Sequence, residues 1–110
     1  MDVKQVIQSQ YLASLSMLKQ AIVKCPQSVW NDPQDSDKFW FKTYHALYSA
    51  HLYLKTTGTD YVRGKKHNKL ELQFYNIRHI QQHTGELYER LSAYKNIKLN
   101  WVAQRHKEKK

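Results

Sequence analysis

Two histidines four residues apart are the residues of this sequence best suited to chemistry. They are His79 and His83, within the stretch NIRHIQQHTGELYERL. On a helix, side chains at positions i and i+4 point the same way, with Cβ atoms about 6 Å apart, so two imidazoles can reach one cation. The spacing alone is a weak indication, because solvated or hydrogen-bonded histidines are a commoner outcome than metal ligation. The elements around the pair must decide between a metal site and an ordinary polar helix face.

A long helix is predicted to carry this pair. Asn68 followed by Glu71 has the form of a capping box, and the helix that it opens should run to about Tyr94. Both histidines belong to the apolar stripe of this helix and should face inward, where an imidazole needs a partner. The stripe contains Leu72, Tyr75, Asn76, His79, Ile80, His83, Leu87 and Leu91.

Another amphipathic helix is predicted near the start of the chain. Apolar residues recur at steps of three and four from Val3 to Lys24, and Asp2 can cap this helix while Pro26 should end it. The following QSVWNDPQDSD is rich in turn formers and is interpreted as a loop. Val29 and Trp30 are expected to fold back from this loop onto the core.

The remaining helix is expected to begin near Asp35 to Asp37 and to continue through KFWFKTYHALYSAHLYL. Its apolar residues form two adjacent stripes, so two of its sides are expected to be covered. If the linker of residues 55–67 makes the next helix antiparallel, His45 meets the histidine pair and completes a three-histidine site with open positions for water or substrate. One stripe contains Phe41, Tyr44, His45, Tyr48 and Leu52, and the other contains Trp40, Leu47, His51 and Leu54.

In these stretches the sequence resembles the DinB-like proteins, also called the DinB/YfiT superfamily of metal-binding four-helix bundles. YLASLSMLKQAIVKCPQSVWN is similar to the family's first helix and loop, FWFKTYHALYSAHLYL to its second helix, and LELQFYNIRHIQQHTGELYERL to its fourth, with a tryptophan following at Trp101. Family members carry one histidine in the second helix and an H-x-x-x-H-x-G signature in the last. The match places the metal ligands at His45, His79 and His83, and Gly85 completes the signature.

The resemblance implies a divalent transition metal, for which zinc or nickel suits imidazole ligands best, although iron, cobalt and copper stay open. Characterised relatives are metal-dependent thiol transferases, hydrolases or isomerases, so the implied substrate is a small thiol or electrophile. Whether this chain is an enzyme stays open. Glu86, one turn beyond His83, is a candidate fourth ligand or outer acceptor, whereas His51 matches no ligand position. The candidates for outer contacts to the ligands or the substrate are Glu86, Tyr48, Tyr44 and Tyr75, and each tyrosine also fits a purely structural role.

The sequence departs from the family in one element. Family bundles have a third helix between the two helices that carry the ligands, and here only the linker of residues 55–67 stands in that place. The predicted fold is therefore all-α, a DinB-like up-and-down bundle reduced to three long helices. Loss of the third helix should expose an apolar face, so we expect a homodimer in which a second copy covers it.

Size and composition agree with one helical domain. The chain has 110 residues with 41% apolar content and only three Gly and two Pro, which predicts a single domain over residues 1–102 and a basic tail over residues 103–110. Its lone cysteine, Cys25, excludes an intramolecular disulfide and a cysteine-based zinc cluster. Neither a signal sequence nor an apolar run of about 20 residues is found, so we expect a cytoplasmic protein without membrane contact.

Two other functions compete with the metal hypothesis. In the first, the chain is a non-catalytic helical protein-interaction module whose histidines are merely buried. In the second, it binds nucleic acid weakly, because 18 Lys+Arg against 9 Asp+Glu give a net charge of +9. The basic residues are dispersed between the linker and the tail, without helix-turn-helix or zinc-finger spacing, which disfavours a nucleic-acid function.

Overall fold

The computed structural model describes residues 2–54, 60–62, 65–67 and 69–105, and this part of the chain is mostly helical, as predicted. Two short antiparallel strands lie in the linker of residues 55–67, with Asp60 opposite His67. Asn68, the predicted capping residue, lies outside the described residues, as do residues 106–110 of the tail. None of the described helices is both long enough and apolar enough to cross a bilayer. The elements in chain order are α1 (Val3–Lys24), α2 (Gln27–Trp30), α3 (Phe39–Leu54), β1 (Asp60–Val62), β2 (Lys65–His67) and α4 (Lys69–Lys95).

Local signals fix both ends of α1. The Asp2 carboxylate accepts a hydrogen bond of 2.9 Å from the Lys4 backbone N–H, so Asp2 is the N-cap of α1, as predicted. Cys25 is extended, with φ −73° and ψ 120°, because the ring of Pro26 disfavours helical geometry in the residue before it. Pro26 then starts the single turn of α2, where a loop was predicted. Val29 is buried as expected, and the Trp30 ring packs against Phe39 at 5.9 Å.

Helix α3 begins later than the acidic residues before it suggested. Asp32 holds the preceding segment in a turn, because its carboxylate accepts from the Gln34 N–H at 2.9 Å and its carbonyl accepts from the Asp35 N–H at 3.1 Å. Lys38 Nζ donates to the carbonyl oxygens of Asp32 and Asp35 at 2.8 and 2.5 Å. The backbone therefore becomes helical only from Phe39, later than the predicted start near Asp35 to Asp37.

Helix α4 packs against both α1 and α3. Its predicted inner stripe is confirmed over most of its length, since Leu72, Ile80, Leu87 and Leu91 are fully buried. Asn76 is also fully buried, and its side-chain N–H donates to the Ala50 carbonyl at 3.1 Å, which ties α4 to α3. The main core cluster contains Leu18, Ala21, Val29, Phe39, Ala46, Leu87 and Leu91.

The face that α3 turns toward the core differs from both predicted stripes. Small residues rather than aromatic ones are buried there, namely Thr43, Ala46, Ser49 and Ala50, together with Phe39 at the start of the helix. Short side chains let two helix backbones approach closely, so they take the positions that face α4. The expectation that two sides of α3 are covered was wrong for this chain alone. Apart from Phe39, the large apolar residues of α3 whose side chains are described are exposed, namely Trp40, Phe41, Tyr44, Leu47, Tyr48 and Leu52.

After α4 the chain returns along α1. Asn96, with φ 52°, adopts the left-handed conformation that asparagine tolerates and ends the helix. The Asn100 N–H donates to the Gln20 side chain at 2.9 Å, and the Gln20 amide donates to the Asn100 carbonyl at 3.2 Å. Val102 is buried, whereas Trp101 is 72% exposed, so only Val102 packs against the helices.

Candidate metal centre

Helices α3 and α4 bring the three predicted ligands together. His45, His79 and His83 each offer a ring nitrogen, and these atoms all lie within 4.8 Å of one another. The Nε2 atoms of His79 and His83 are 3.1 Å apart, as expected for one turn of helix. The ring of His45 lies 5.4 Å from the ring of His79 and 5.0 Å from the ring of His83, centroid to centroid. The three-histidine cluster therefore joins a residue of α3 to a pair on α4.

The spacing of the nitrogens suits a tetrahedral cation. Zn–N bonds of about 2.0–2.1 Å place two ligand nitrogens about 3.3 Å apart, close to the 3.1 Å between the Nε2 atoms of His79 and His83. His45 needs to move by at most about 1.5 Å to reach the same separation from the full 4.8 Å. Three neutral imidazoles leave at least one coordination position for water or another ligand, so the donor set fits an open metal site.

The cluster lies at the edge of the helix pair rather than in its interior. His79 and His83 are half-buried and His45 is exposed, although all three were expected to face inward. The reason is the rotation of α3 described above, which turns Ala46 inward and leaves the neighbouring His45 facing the solvent. An edge position keeps the open coordination side accessible to solute molecules.

Glu86 supports the cluster from outside. Its Oε1 lies 3.0 Å from Nδ1 of His83, on the side of the ring away from the Nε2 atom that faces His79. The ring N–H is not well aligned with this oxygen, so the contact is an electrostatic one in the present geometry. A carboxylate at Nδ1 favours the tautomer whose Nε2 lone pair is free for a cation. Glu86 thus fits the outer acceptor of the two roles predicted for it.

Lys42 holds Glu86 in place and was not singled out from the sequence. Its Nζ lies 2.7 Å from Oε2 of Glu86 and 2.9 Å from Oδ2 of Asp37, so it bridges a residue of α4 and one just before α3. A usable signal was present, because Lys42 is the only Lys, Arg, Asp or Glu in the sequence of α3. A lone charge in such a helix needs a partner on a neighbouring element.

Burial and these charges shift the pKa values of the groups around the cluster. Burial lowers the pKa of His83, as do the charges of His45 and Lys42, and together they outweigh the opposing effect of Glu86. Burial acts to raise the pKa of Glu86, but the hydrogen bond and charge of Lys42 and the contact with His83 bring it below its ordinary value. Burial opposes the charge of Lys42, yet Glu86 and Asp37 raise the pKa of this group. His83 thus stays neutral to a lower pH than a free histidine, which favours ligation.

Replacing Glu86 with glutamine is expected to weaken zinc binding by about 10- to 100-fold, the usual cost of losing an outer partner of a ligating histidine. The substitution preserves size and removes the charge that orients His83. Competition with a chromophoric zinc chelator measures the affinity. Glu89→Gln is the matched control, because Glu89 is an exposed residue of the same helix and its loss should leave the affinity unchanged. Equal affinities of the two variants would show that Glu86 has no role in the site.

Of the three tyrosines predicted as outer contacts, one stacks on a histidine of the cluster and two stack on each other at the surface. The Tyr75 ring is half-buried and lies parallel to the His79 ring, at 6.1 Å between centroids and 9° between planes. Tyr44 and Tyr48 are exposed and stack on each other at 5.9 Å, and Tyr44 also contacts Phe41 at 6.5 Å. His51 is exposed and does not belong to the cluster, in agreement with the sequence analysis.

Gly85 and Cys25 have no evident part in the site. A Cβ atom added at Gly85 would meet nothing within 4 Å, so close packing does not require glycine at this end of the signature. Burial, only partly offset by the charge of Arg90, raises the pKa of Cys25 to about 11, which keeps this thiol protonated and weakly nucleophilic.

A large cavity lies away from the histidines. It has a volume of about 760 Å³ and runs between the first half of α1 and the start of α4. Apolar side chains such as Ile7, Leu15 and Leu70 dominate its walls. Its titratable lining residues are Lys4, Tyr11 and Lys69, and no histidine, cysteine or carboxylate of the described residues lines it, so its size does not make it the candidate reaction site.

Comparisons of the chain with protein-family models, with curated proteins and with solved structures find no match in any of the three. The resemblance to DinB-like proteins therefore stays a prediction from the sequence.

Proposed function

We propose that this chain is a DinB-like divalent-metal-binding protein with His45, His79 and His83 as its ligands. The observation that supports the proposal is the convergence of three ring nitrogens within 4.8 Å from two separate helices. Histidines that only face the solvent have no reason to bring their ring nitrogens together in this way. The carboxylate of Glu86 beside His83 adds the outer contact that ligating histidines commonly have.

Zinc or nickel is the proposed metal, since both accept imidazole ligands with open positions left over. A bound cation of this kind lowers the pKa of a coordinated thiol or water. We therefore propose a thiol transferase or hydrolase acting on a small thiol or electrophile as the activity, if the chain is catalytic. The lone, protonated Cys25 suits the reducing cytoplasm that we propose as its location.

Metal content is the direct test of this proposal. Protein purified without a histidine tag is expected to contain, or to take up at neutral pH, one equivalent of zinc or nickel per chain, measured by elemental analysis. A content below about a tenth of an equivalent, with no uptake on reconstitution, contradicts the proposal. Addition of 2-mercaptoethanol to the cobalt-loaded chain then tests whether the bound cation coordinates a small thiol, because a coordinated thiolate gives a charge-transfer absorption band.

An interaction role is the second candidate, and the exposed side of α3 favours it. We define the α3 apolar face as Trp40, Phe41, Tyr44, Leu47, Tyr48 and Leu52, all of them at least 40% exposed. Aromatic residues are enriched in the cores of protein interfaces, and a contiguous exposed patch of them marks a binding surface. The face runs along the helix that carries His45.

A second copy of the chain is the proposed partner for this face. The net charge of +9 makes two copies repel each other, which favours association through surfaces that carry little charge. None of the six residues of the α3 apolar face carries a formal charge. The single lysine of the helix, Lys42, lies outside this face and is paired with Glu86 at 2.7 Å and with Asp37 at 2.9 Å. Two such faces around a twofold axis would form a homodimer and replace the helix that the family has and this chain lacks.

A further inference from the structure

A small polar cavity lies beside the three-histidine cluster. Its volume is about 180 Å³, and Tyr75, Arg78, His79 and Gln82 line it. These residues are three or four positions apart and so share one side of α4. His79 belongs to both the cavity and the cluster, so a molecule in the cavity lies next to the proposed cation.

The lining of this cavity suits an anion. Arg78 brings the formal positive charge and a planar set of N–H donors that matches a carboxylate. The Gln82 side-chain amide adds further N–H donors. None of the four lining residues is an aspartate or a glutamate. Glu86 is held by Lys42 at 2.7 Å, so this carboxylate does not compensate Arg78.

Ring contacts connect Arg78 to the cluster. The Arg78 guanidinium carbon lies 5.5 Å from the centroid of the Tyr75 ring, within the range of a cation–π interaction. The Tyr75 ring in turn lies parallel to the His79 ring at 6.1 Å. Tyr75 thus places a guanidinium and an imidazole along one wall, although Arg78 itself is on the exposed side of the helix.

We propose that this cavity binds the carboxylate of a small organic acid, with Arg78 as the principal partner and Gln82 as a second donor. The inference rests on the proposed function, since it assigns a substrate class to the same site. A cation on the histidines strengthens the binding, because it adds positive charge next to the cavity. The volume equals that of about six water molecules, so the cavity has room for roughly that number of non-hydrogen atoms of the ligand.

Acetate is a suitable probe, and acetamide is its neutral counterpart of similar shape. Each is titrated at constant ionic strength into the full chain, metal-free and zinc-loaded, while the Gln82 side-chain amide signals are followed by NMR. Acetate is expected to shift these signals saturably, and more tightly with zinc, whereas acetamide is expected to leave them unchanged. Arg78→Gln is expected to weaken acetate binding at least about tenfold, the cost of losing a hydrogen bond to a charged group.

The matched control is Arg105→Gln, which removes the same charge from another exposed arginine that does not line the cavity. Its affinity for acetate should equal that of the wild-type chain. Equal acetate binding by Arg78→Gln and wild type overturns the proposal, and so does an acetamide response as strong as that of acetate. Zinc uptake is measured on the same samples. Arg78-dependent binding of acetate to a chain that takes up no zinc supports the anion site while contradicting the metal proposal.

Discussion

Saturating zinc is expected to raise the melting temperature of the wild-type chain by about 10–20 °C, and His79→Ala is expected to abolish the increase. A ligand that binds only the folded state adds about 2.7 kcal/mol to the free energy of unfolding at a concentration 100 times its Kd. For a domain of about this size each kcal/mol shifts the melting temperature by about 4–8 °C. Calorimetry or circular dichroism in zinc and in chelator measures the difference.

The effect of His79→Ala follows from the geometry of the cluster. His79 supplies the nitrogen that lies 3.1 Å from Nε2 of His83, and without it only two histidines of the cluster remain. Since loss of an outer partner alone costs about 10- to 100-fold in metal affinity, loss of a ligand should cost more than about 100-fold. At a zinc concentration 100 times the wild-type Kd, the variant is then at most half-saturated and gains little stability.

Chelator separates ligation from packing. In chelator, His79→Ala and the wild-type chain should melt at similar temperatures, because the His79 side chain is only half-buried. His51→Ala is the matched control, since His51 is an exposed histidine of α3 outside the cluster, and it should keep the full zinc-dependent increase. An equal loss of stability for His79→Ala in zinc and in chelator would make His79 a packing residue and contradict the metal proposal.

The histidine cluster could be predicted from the sequence because its parts are local. His79 and His83 are one helical turn apart, so their rings can meet on a regular helix, and here their Nε2 atoms are 3.1 Å apart. The approach of His45 required only that α3 and α4 pack side by side, which the linker between them favoured. The bridge from Lys42 to Glu86 was not predicted, because it depends on the relative rotation and translation of two helices.

The rotation of α3 was predicted incorrectly for a physical reason. Periodicity located two apolar stripes, and both were assigned to packing because large aromatic residues bury the most surface. In the structure Ala46 and Ala50 face inward, because the close approach of α3 and α4 leaves room only for small side chains. Tyr44 and Tyr48 are left on the outside. In α4, by contrast, large apolar residues occupy the positions that face the other helices, so the periodicity of the sequence was enough to predict its buried side.

Tyr48→Glu is expected to convert a homodimer of this chain into a monomer. Tyr48 is 54% exposed and stacks on Tyr44 within the α3 apolar face, so a glutamate there places a charge in the proposed interface. A central interface residue contributes about 2 kcal/mol or more, and a twofold axis presents the change twice. The expected loss of about 4 kcal/mol corresponds to a dissociation constant raised by about 1,000-fold. Light scattering coupled to size-exclusion chromatography measures the mass across a concentration series.

Val23→Glu supplies the control for this prediction. Val23 is an apolar residue of α1 that is 71% exposed, outside the α3 apolar face, so the same substitution there should leave the dimer intact. A wild-type chain that stays monomeric at micromolar concentration contradicts the dimer directly. Equal dissociation of the Tyr48→Glu and Val23→Glu dimers would place the interface elsewhere. A stable wild-type monomer would leave the α3 apolar face open to a different protein, which is the interaction role considered second above.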